Sequence, residues 1–330
     1  MMKKIIYYLR IKEWLSSKVT MMMGVFVYFL YICKTEITAA LAGLLVYFLF
    51  LSSFLAISYI ANDYSDIEVD KKAGKKKVIA EMEKWQIWLS LVLIFFLGNV
   101  PLLIYCQNKI IMIIFLIVTY LLGIAYSALG IRFKEKGIWG LIECSFAQRC
   151  MPLIIICVML PMDRTQFFLL LGWIVISFLD GLRYIIIHQI VDLENDLKSG
   201  VVTFISQKRK NYRKALIVLF VADIIGALLI LSPILWSHII VSEIIIFAFG
   251  ILEYEIYKVL NVFAQKDWFC TFDSVPLEAF WNCGMPLMVG ICECVYNIYF
   301  WIFLVVLLAA CYQPMKIKLG IAKLSFTNGK

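Results

Sequence analysis

Two stretches of this 330-residue chain concentrate carboxylates. The first reads Asn62-Asp63-Tyr64-Ser65-Asp66-Ile67-Glu68-Val69-Asp70 and the second His188-Gln189-Ile190-Val191-Asp192-Leu193-Glu194-Asn195-Asp196. On a helix that advances about 100° per residue, Asp63, Asp66 and Asp70 fall within about 60° of one another, with Asn62 beside them. Asp192 and Asp196, at i and i+4, also share a face. Carboxylates stacked this way repel one another and need compensation. Water and nearby lysines supply it for a cluster standing alone at a helix end. Taken together, the two clusters offer the hard oxygens that Mg²⁺ requires. With Lys and Arg nearby they make a cradle for a diphosphate bridged by magnesium. At the mouth of an apolar bundle, such a cradle suits an amphiphile whose tail lies among helices. The chemistry then open is ionisation of an allylic diphosphate, in which metal and cationic side chains stabilise the departing pyrophosphate.

The elements that must position these residues are membrane spans. The chain is 63% hydrophobic and 16% charged, with a mean hydropathy of +0.90. A soluble domain carries about 25% charged residues, so both a water-soluble globule and a disordered chain are excluded. Runs of about 20 apolar residues mark spans at 15–33, 38–60, 86–106, 110–129, 138–160, 166–188, 215–235 and 239–258. A last apolar region, 275–312, is interrupted by Glu278, Asn282 and Glu293 and reads as one span with a re-entrant piece or as two spans. The expected fold is an all-α polytopic membrane helix bundle of about nine or ten transmembrane helices. Ten scattered cysteines, among them Cys270 and the Cys292/Cys294 pair, have no zinc-site spacing and read as small buried hydrophobes.

The net charge of +8 is a topology signal rather than a nucleic-acid signal. Positive residues crowd the N-terminus (Lys3, Lys4, Arg10, Lys12), the segment after span two (Lys71, Lys72, Lys75, Lys76, Lys77, Lys84), the link after span four (Arg132, Lys134, Lys136) and the segment after span six (Lys198, Lys208, Arg209, Lys210, Arg213, Lys214). The alternate links carry only Lys34, Lys109 and Arg164. By the positive-inside rule the crowded segments face the cytoplasm. The basic tail (Lys316, Lys318, Lys323, Lys330) favours an even number of crossings. No small-residue cleavage site follows the basic N-terminus, so the first apolar run reads as a retained span. No loop is long enough for a soluble domain. The chain reads as a single domain, 1–330, in two similar halves, about 1–130 and 131–260, followed by a helical region 261–330.

The motifs resemble the UbiA superfamily of intramembrane prenyltransferases. Asn62, Asp63, Asp66 and Asp70 match the family's NDxxDxxxD at every fixed position, and Asp192 and Asp196 match its DxxxD, with Gly200 following. The segment Tyr126–Lys134 is similar to the family's tyrosine-then-basic segment. Leu9-Arg10-Ile11-Lys12-Glu13-Trp14 resembles its LRPxxW opening, with Ile11 in place of proline. After the first motif the loop reads Gly74-Lys75-Lys76-Lys77 where many members have Arg-Pro. The resemblance implies a helical bundle with a central cavity under cytoplasmic cap loops. It implies Mg²⁺-dependent transfer of a prenyl group from a prenyl diphosphate to an aromatic or other lipid-pathway acceptor. Asp63, Asp66, Asp70, Asp192 and Asp196 would hold the metal, with Asn62 assisting. Arg10, Arg132 and Lys134 would meet the diphosphate. The resemblance further implies a multi-pass protein of the cytoplasmic membrane, its active site open to the cytoplasm. No obligate protein partner is evident.

Arg183 and His188, near the end of span six, are further candidates for the diphosphate. Snorkelling to the interface explains Arg183 equally well, and a hydrogen bond to a neighbour is the commoner role for a lone histidine. Asp180 is placed to pair with Arg183 at i+3. Two other functions use the same features. A terpene cyclase of the same scaffold would capture the cation on an alkene of its own chain. An ion-coupled transporter would use the acids as an ion path, but transport sites lie near the membrane midplane and these acids lie at one face.

Overall fold

A computed structural model describes residues 2–72, 74, 77–128, 130–200, 202–207, 212–237, 239–259 and 280–328. Lys75, Lys76, Lys208, Arg209, Lys210, Cys270, Glu278 and Lys330, named above, lie outside them. The described residues are helical and include no strand. In hydrocarbon this follows from the need of every backbone N–H and C=O for an internal partner.

The order is α1 (Met2–Tyr8), α2 (Ile11–Trp14), a π-helical turn (Leu15–Val19), α3 (Thr20–Ile32), α4 (Ile37–Ser65), α5 (Ile67–Lys72), a 3₁₀ turn (Val78–Glu81), α6 (Lys84–Tyr105) and α7 (Lys109–Ala125). A second 3₁₀ turn (Phe133–Glu135) leads to α8 (Ile138–Ser145), a π-helical turn (Phe146–Cys150), α9 (Met151–Met159), α10 (Arg164–Val191), α11 (Leu193–Ser199) and α12 (Phe204–Gln207). Then come α13 (Tyr212–Ser237), α14 (Ile239–Val259), a π-helical turn (Phe280–Gly284), α15 (Met285–Tyr296) and α16 (Trp301–Asn328). Among the described residues, four helical runs are long and apolar enough to cross a membrane: Ile37–Ser65, Lys84–Tyr105, Ile138–Met159 and Arg164–Val191. Shorter apolar helices include Thr20–Ile32 and Lys109–Ala125.

Helix starts follow sequence signals. Asp163 accepts from the Gln166 backbone N–H at 2.8 Å while the Gln166 side chain accepts from the Asp163 N–H at 2.9 Å, a reciprocal cap that opens α10. Asn108 caps α7 through the Ile111 N–H. In the region 275–312, Asn297 accepts from the Tyr299 N–H at 3.1 Å, which ends one helix and starts the next. Lys316, Lys318 and Lys323 of the basic tail lie on the continuation of α16 to Asn328. The expected span 138–160 is the run Ile138–Met159, within which the helix widens at Phe146–Cys150.

The chain divides into two compact units. The first holds Met1–Trp14 and Leu45–Asp223. In it, small residues bring helices close. The position a Cβ would take at Gly98 of α6 is filled by Ser53 of α4, and at Gly123 of α7 it lies 2.6 Å from Ser58 Oγ. The gaps are bridged by a buried polar chain. The Ser53 and Tyr120 hydroxyls are 2.8 Å apart, and Asn99 Nδ2 donates to the Tyr120 oxygen at 2.7 Å. A small apolar cluster of Ile60, Ile79 and Ile87, with Tyr8, Leu9 and Ile67 against it, fastens the opening segment and the loop after α5 to the end of α4. In the second unit, Leu15–Leu44 and Ile224–Lys330, α3 packs on α15 with Pro286 2.9 Å from the place of a Gly24 Cβ.

Candidate active site

The helix of the first acidic motif continues past its apolar span. The Asp66 N–H bonds to Asn62 O at 3.1 Å and the Asp70 N–H to Asp66 O at 2.8 Å, so α4 and α5 keep nearly one helical path with a one-residue break at Asp66. The three aspartates lie along this path, and three chain segments answer them with positive charge.

The opening segment brings Arg10, whose Nη1 lies 3.2 Å from Asp63 Oδ1 and whose guanidinium lies 4.9 Å from the centre of the Tyr59 ring. Its other nitrogen pairs with Glu13. The loop after α5 brings Lys77, paired with Asp63 and, at 2.9 Å, with Asp70 Oδ2. Burial works against the charge on Lys77, but these two carboxylates outweigh it and hold its pKa above the ordinary lysine value. The link after α7 brings Lys134, which donates to both oxygens of Asp66 at 2.5 Å, and Arg132, 3.3 Å from the same carboxylate. Burial is the larger influence on Lys134 and lowers its pKa despite Asp66. Ser127 from the same link donates to the Asn62 side-chain oxygen. Arg10 (φ 50°) and Arg132 (φ 46°) both sit in the left-handed region, which costs a non-glycine residue about 1 kcal/mol. The chain bends sharply where it delivers each guanidinium.

The second motif is built alike. The Asp192 N–H bonds to His188 O at 3.0 Å and the Asp196 N–H to Asp192 O at 2.9 Å, carrying α10 into α11 with a break at Asp192. His188 Nδ1 lies 2.8 Å from Asp192 Oδ2. Asp196 Oδ2 accepts from Thr203 at 3.4 Å, and α12 is tied back to α10 where Gln189 accepts from the Ile205 N–H at 3.3 Å. Burial, and next the charge of Asp192, push the Asp196 pKa above the ordinary carboxylate value, while Lys134 acts against that. Lys134 is therefore bonded to the first motif and within electrostatic reach of the second.

Arg183 lies deeper. It is almost fully buried and pairs with Asp180 at 2.9 Å, as the i+3 spacing predicts. Asp180 also receives Arg149 at 3.3 Å, and Arg149 in turn faces the Tyr184 ring at 5.6 Å. Sequence reading passed over Arg149 and Glu143, both buried in the fifth apolar run. The available signal was an ionisable residue inside a span. It also missed Ser127 and Thr203, which no motif marks.

Among the described residues, no three Asp, Glu, His or Cys side chains converge on a point that would hold a metal ion. The expected five-aspartate set is not drawn into one cage. Lysine ammonium groups lie among the first three carboxylates. The donor chemistry still fits Mg²⁺, since every candidate ligand is a carboxylate or amide oxygen.

A family model described as the UbiA prenyltransferase family matches residues 21–284. Among solved structures, a UbiA homolog from Archaeoglobus fulgidus bound to DMAPP and Mg²⁺ superposes with a TM-score of 0.59 at 17% identity, covering 92% of this chain and 99% of that one. The same homolog bound to GPP and Mg²⁺ gives 0.56 at 16% identity, with the same coverage. A structure of digeranylgeranylglyceryl phosphate synthase in membranes gives 0.53 at 16% identity, covering 94% and 99%. Among curated proteins, none matches this sequence.

Proposed function

Because the chain belongs to the UbiA prenyltransferase family, we propose that it moves a prenyl group from a prenyl diphosphate to a small acceptor inside the membrane. The observation that carries this reading is the ring of Arg10, Lys77, Arg132 and Lys134 around Asp63, Asp66 and Asp70. Four cations and three carboxylates gathered at one helix end suit a polyanion that arrives with divalent metal. The structures of the Archaeoglobus fulgidus homolog, with prenyl diphosphates and Mg²⁺ bound, support it.

In this reading Asp63, Asp66 and Asp70, with Asn62, hold one face of the site, and Asp192 and Asp196 the other. Magnesium, when bound, neutralises charge on the pyrophosphate leaving group. Arg10, Lys77, Arg132 and Lys134 exchange carboxylate for phosphate oxygens and stabilise the charge that develops as the allylic C–O bond breaks. His188 holds Asp192 in place. Arg183 and Arg149, joined through Asp180, fix α10 against the turn Phe146–Cys150. The protein is a single multi-pass domain of about nine or ten spans, its acidic rim facing the cytoplasm.

The test is to incubate membranes containing the protein with labelled prenyl diphosphates, Mg²⁺ and a lipid extract of the source cells. Labelled product that depends on Mg²⁺ and on Asp63 and Asp192 supports the assignment. Turnover that survives Asp63→Ala and Asp192→Ala together removes it.

A further inference from the structure

Glu143, on α8, is 7% exposed, and neither of its carboxylate oxygens has a hydrogen-bond partner. Buried polar groups are nearly always paired, and one that is not asks for an explanation. The helix of Glu143 passes directly under the rim. One turn above it, at Gly140, the place of a Cβ is taken by the Phe133 carbonyl and lies 3.2 Å from Lys134 Cα. Glycine lets the segment that carries Lys134 lie flat on this helix. On another side stands Tyr126, which is hydrogen-bonded to Cys144 and within electrostatic reach of both Glu143 and Asp196. Below it the helix widens into the π turn Phe146–Cys150, a distortion common at functional sites. The nearest arginine along the chain, Arg149, is committed to Asp180. Glu143 is thus a buried carboxyl group with no hydrogen-bond partner, one helical turn from the segment that carries Lys134 and sharing Tyr126 with Asp196 of the second motif.

We propose that Glu143 reads the acceptor: its carboxyl oxygens take a hydrogen bond from a hydroxyl or amino group of an uncharged acceptor. This rests on the prenyl-transfer reading and narrows it. A carboxyl group with vacant lone pairs pairs with an O–H or N–H, whereas an acceptor presenting a carboxylate or phosphate there offers those lone pairs no donor and must shed its own hydration in a medium of low dielectric.

The experiment uses the full chain in detergent with Mg²⁺ and pyrophosphate, and three probes: hydroquinone, aniline and benzoate. Infrared difference spectra report the Glu143 carboxyl band, identified by its loss in Glu143→Gln. Hydroquinone and aniline are expected to shift that band, and benzoate to leave it in place. A band that neither hydroquinone nor aniline moves, or that benzoate moves, overturns the proposal. Replacing an unpaired buried carboxyl by an apolar side chain should also raise thermal stability, so Glu143→Leu is expected to unfold about 2–4 °C higher. A lower midpoint, or failure to fold, shows that the carboxyl holds the structure and overturns the proposal too. The two readings fail separately. A chain without Mg²⁺-dependent turnover of labelled prenyl diphosphate loses the prenyl-transfer reading even if hydroquinone moves the band. A chain with turnover and a fixed band loses only the role of Glu143.

Discussion

The two acidic motifs share a backbone and differ in their company. In each, a long helix breaks for one residue at an aspartate, Asp66 or Asp192, and resumes as a short helix. Each short helix is followed by a glycine in the left-handed region, Gly74 at φ 72° and Gly200 at φ 73°, which a residue with a Cβ rarely adopts. The neighbours are different. Asp63, Asp66 and Asp70 face two arginines and two lysines from three separate segments. Asp192 faces an imidazole on its own helix, and Asp196 a threonine hydroxyl. Equivalent local sequence therefore produces equivalent local structure, while charge balance is decided by segments far away in the chain. The first motif is held by four cations that the rest of the chain brings to it. The second meets an imidazole and a hydroxyl, with the charge of Lys134 within reach of Asp196.

The largest effect that would test this contrast is at Asp63. Asp63→Ala removes the partner of Arg10 and Lys77 together, and should cut product formation by about 10²–10³-fold and lower the unfolding midpoint. Labelled-product counting and thermal unfolding of the same preparation check both. If the midpoint is unchanged, the cations do not depend on the motif. Asp192→Ala comes next. It should raise the Mg²⁺ concentration for half-maximal rate about 10-fold or more, with a stability change within about 0.5 kcal/mol. A loss of stability as large as at Asp63 would erase the distinction.

Lys134 bonds to one side of the contrast and acts on the other through its charge. Lys134→Met removes charge-assisted hydrogen bonds of about 1.5–3 kcal/mol and should raise KM for whichever prenyl diphosphate supports turnover about tenfold, more than it lowers kcat. Steady-state kinetics over a range of diphosphate concentrations separate the two. The smallest effect is at Asp196. Its pKa is raised in the folded chain, so between the ordinary carboxylate value and the raised one the folded chain binds more protons than the unfolded chain. Stability falls as pH rises through that window. In EDTA, Asp196→Asn should therefore unfold about 1–2 °C above the unsubstituted chain at pH 7, and the gap should close on acidification below the ordinary carboxylate range. A gap that widens in acid would mean that Asp196 is stabilised as an anion.

Much of this was legible in the residues. The apolar runs locate α4, α6, α7 and α10 to within a few residues, because a helix in hydrocarbon must be apolar for its length. They end α4 too early. The run stops near Ile60 while the helix continues to Ser65, since backbone hydrogen bonding does not require apolar side chains. The Asp180–Arg183 pair follows from spacing alone. The partnership of Lys77 with Asp63 does not, because it depends on a loop folding back over its own motif, and Arg149 finds Asp180 only through the packing of α8, α9 and the π turn between them on α10. Long-range pairings carry no periodic signature, and a single buried Glu or Arg in an apolar run differs from its neighbours in nothing but type.

The serine, tyrosine and asparagine chain between α4, α6 and α7, with Gly98 and Gly123 beside it, works as a keyway for α4. Ser53 lies ten residues before Asp63, close to three turns of helix, and it can form its bond to Tyr120 at one azimuth only. The direction in which the rim aspartates point is thus set deep in the membrane. A bulkier residue at Gly98 would turn α4 about its axis and swing the whole carboxylate face sideways, disabling the rim without altering any residue in it.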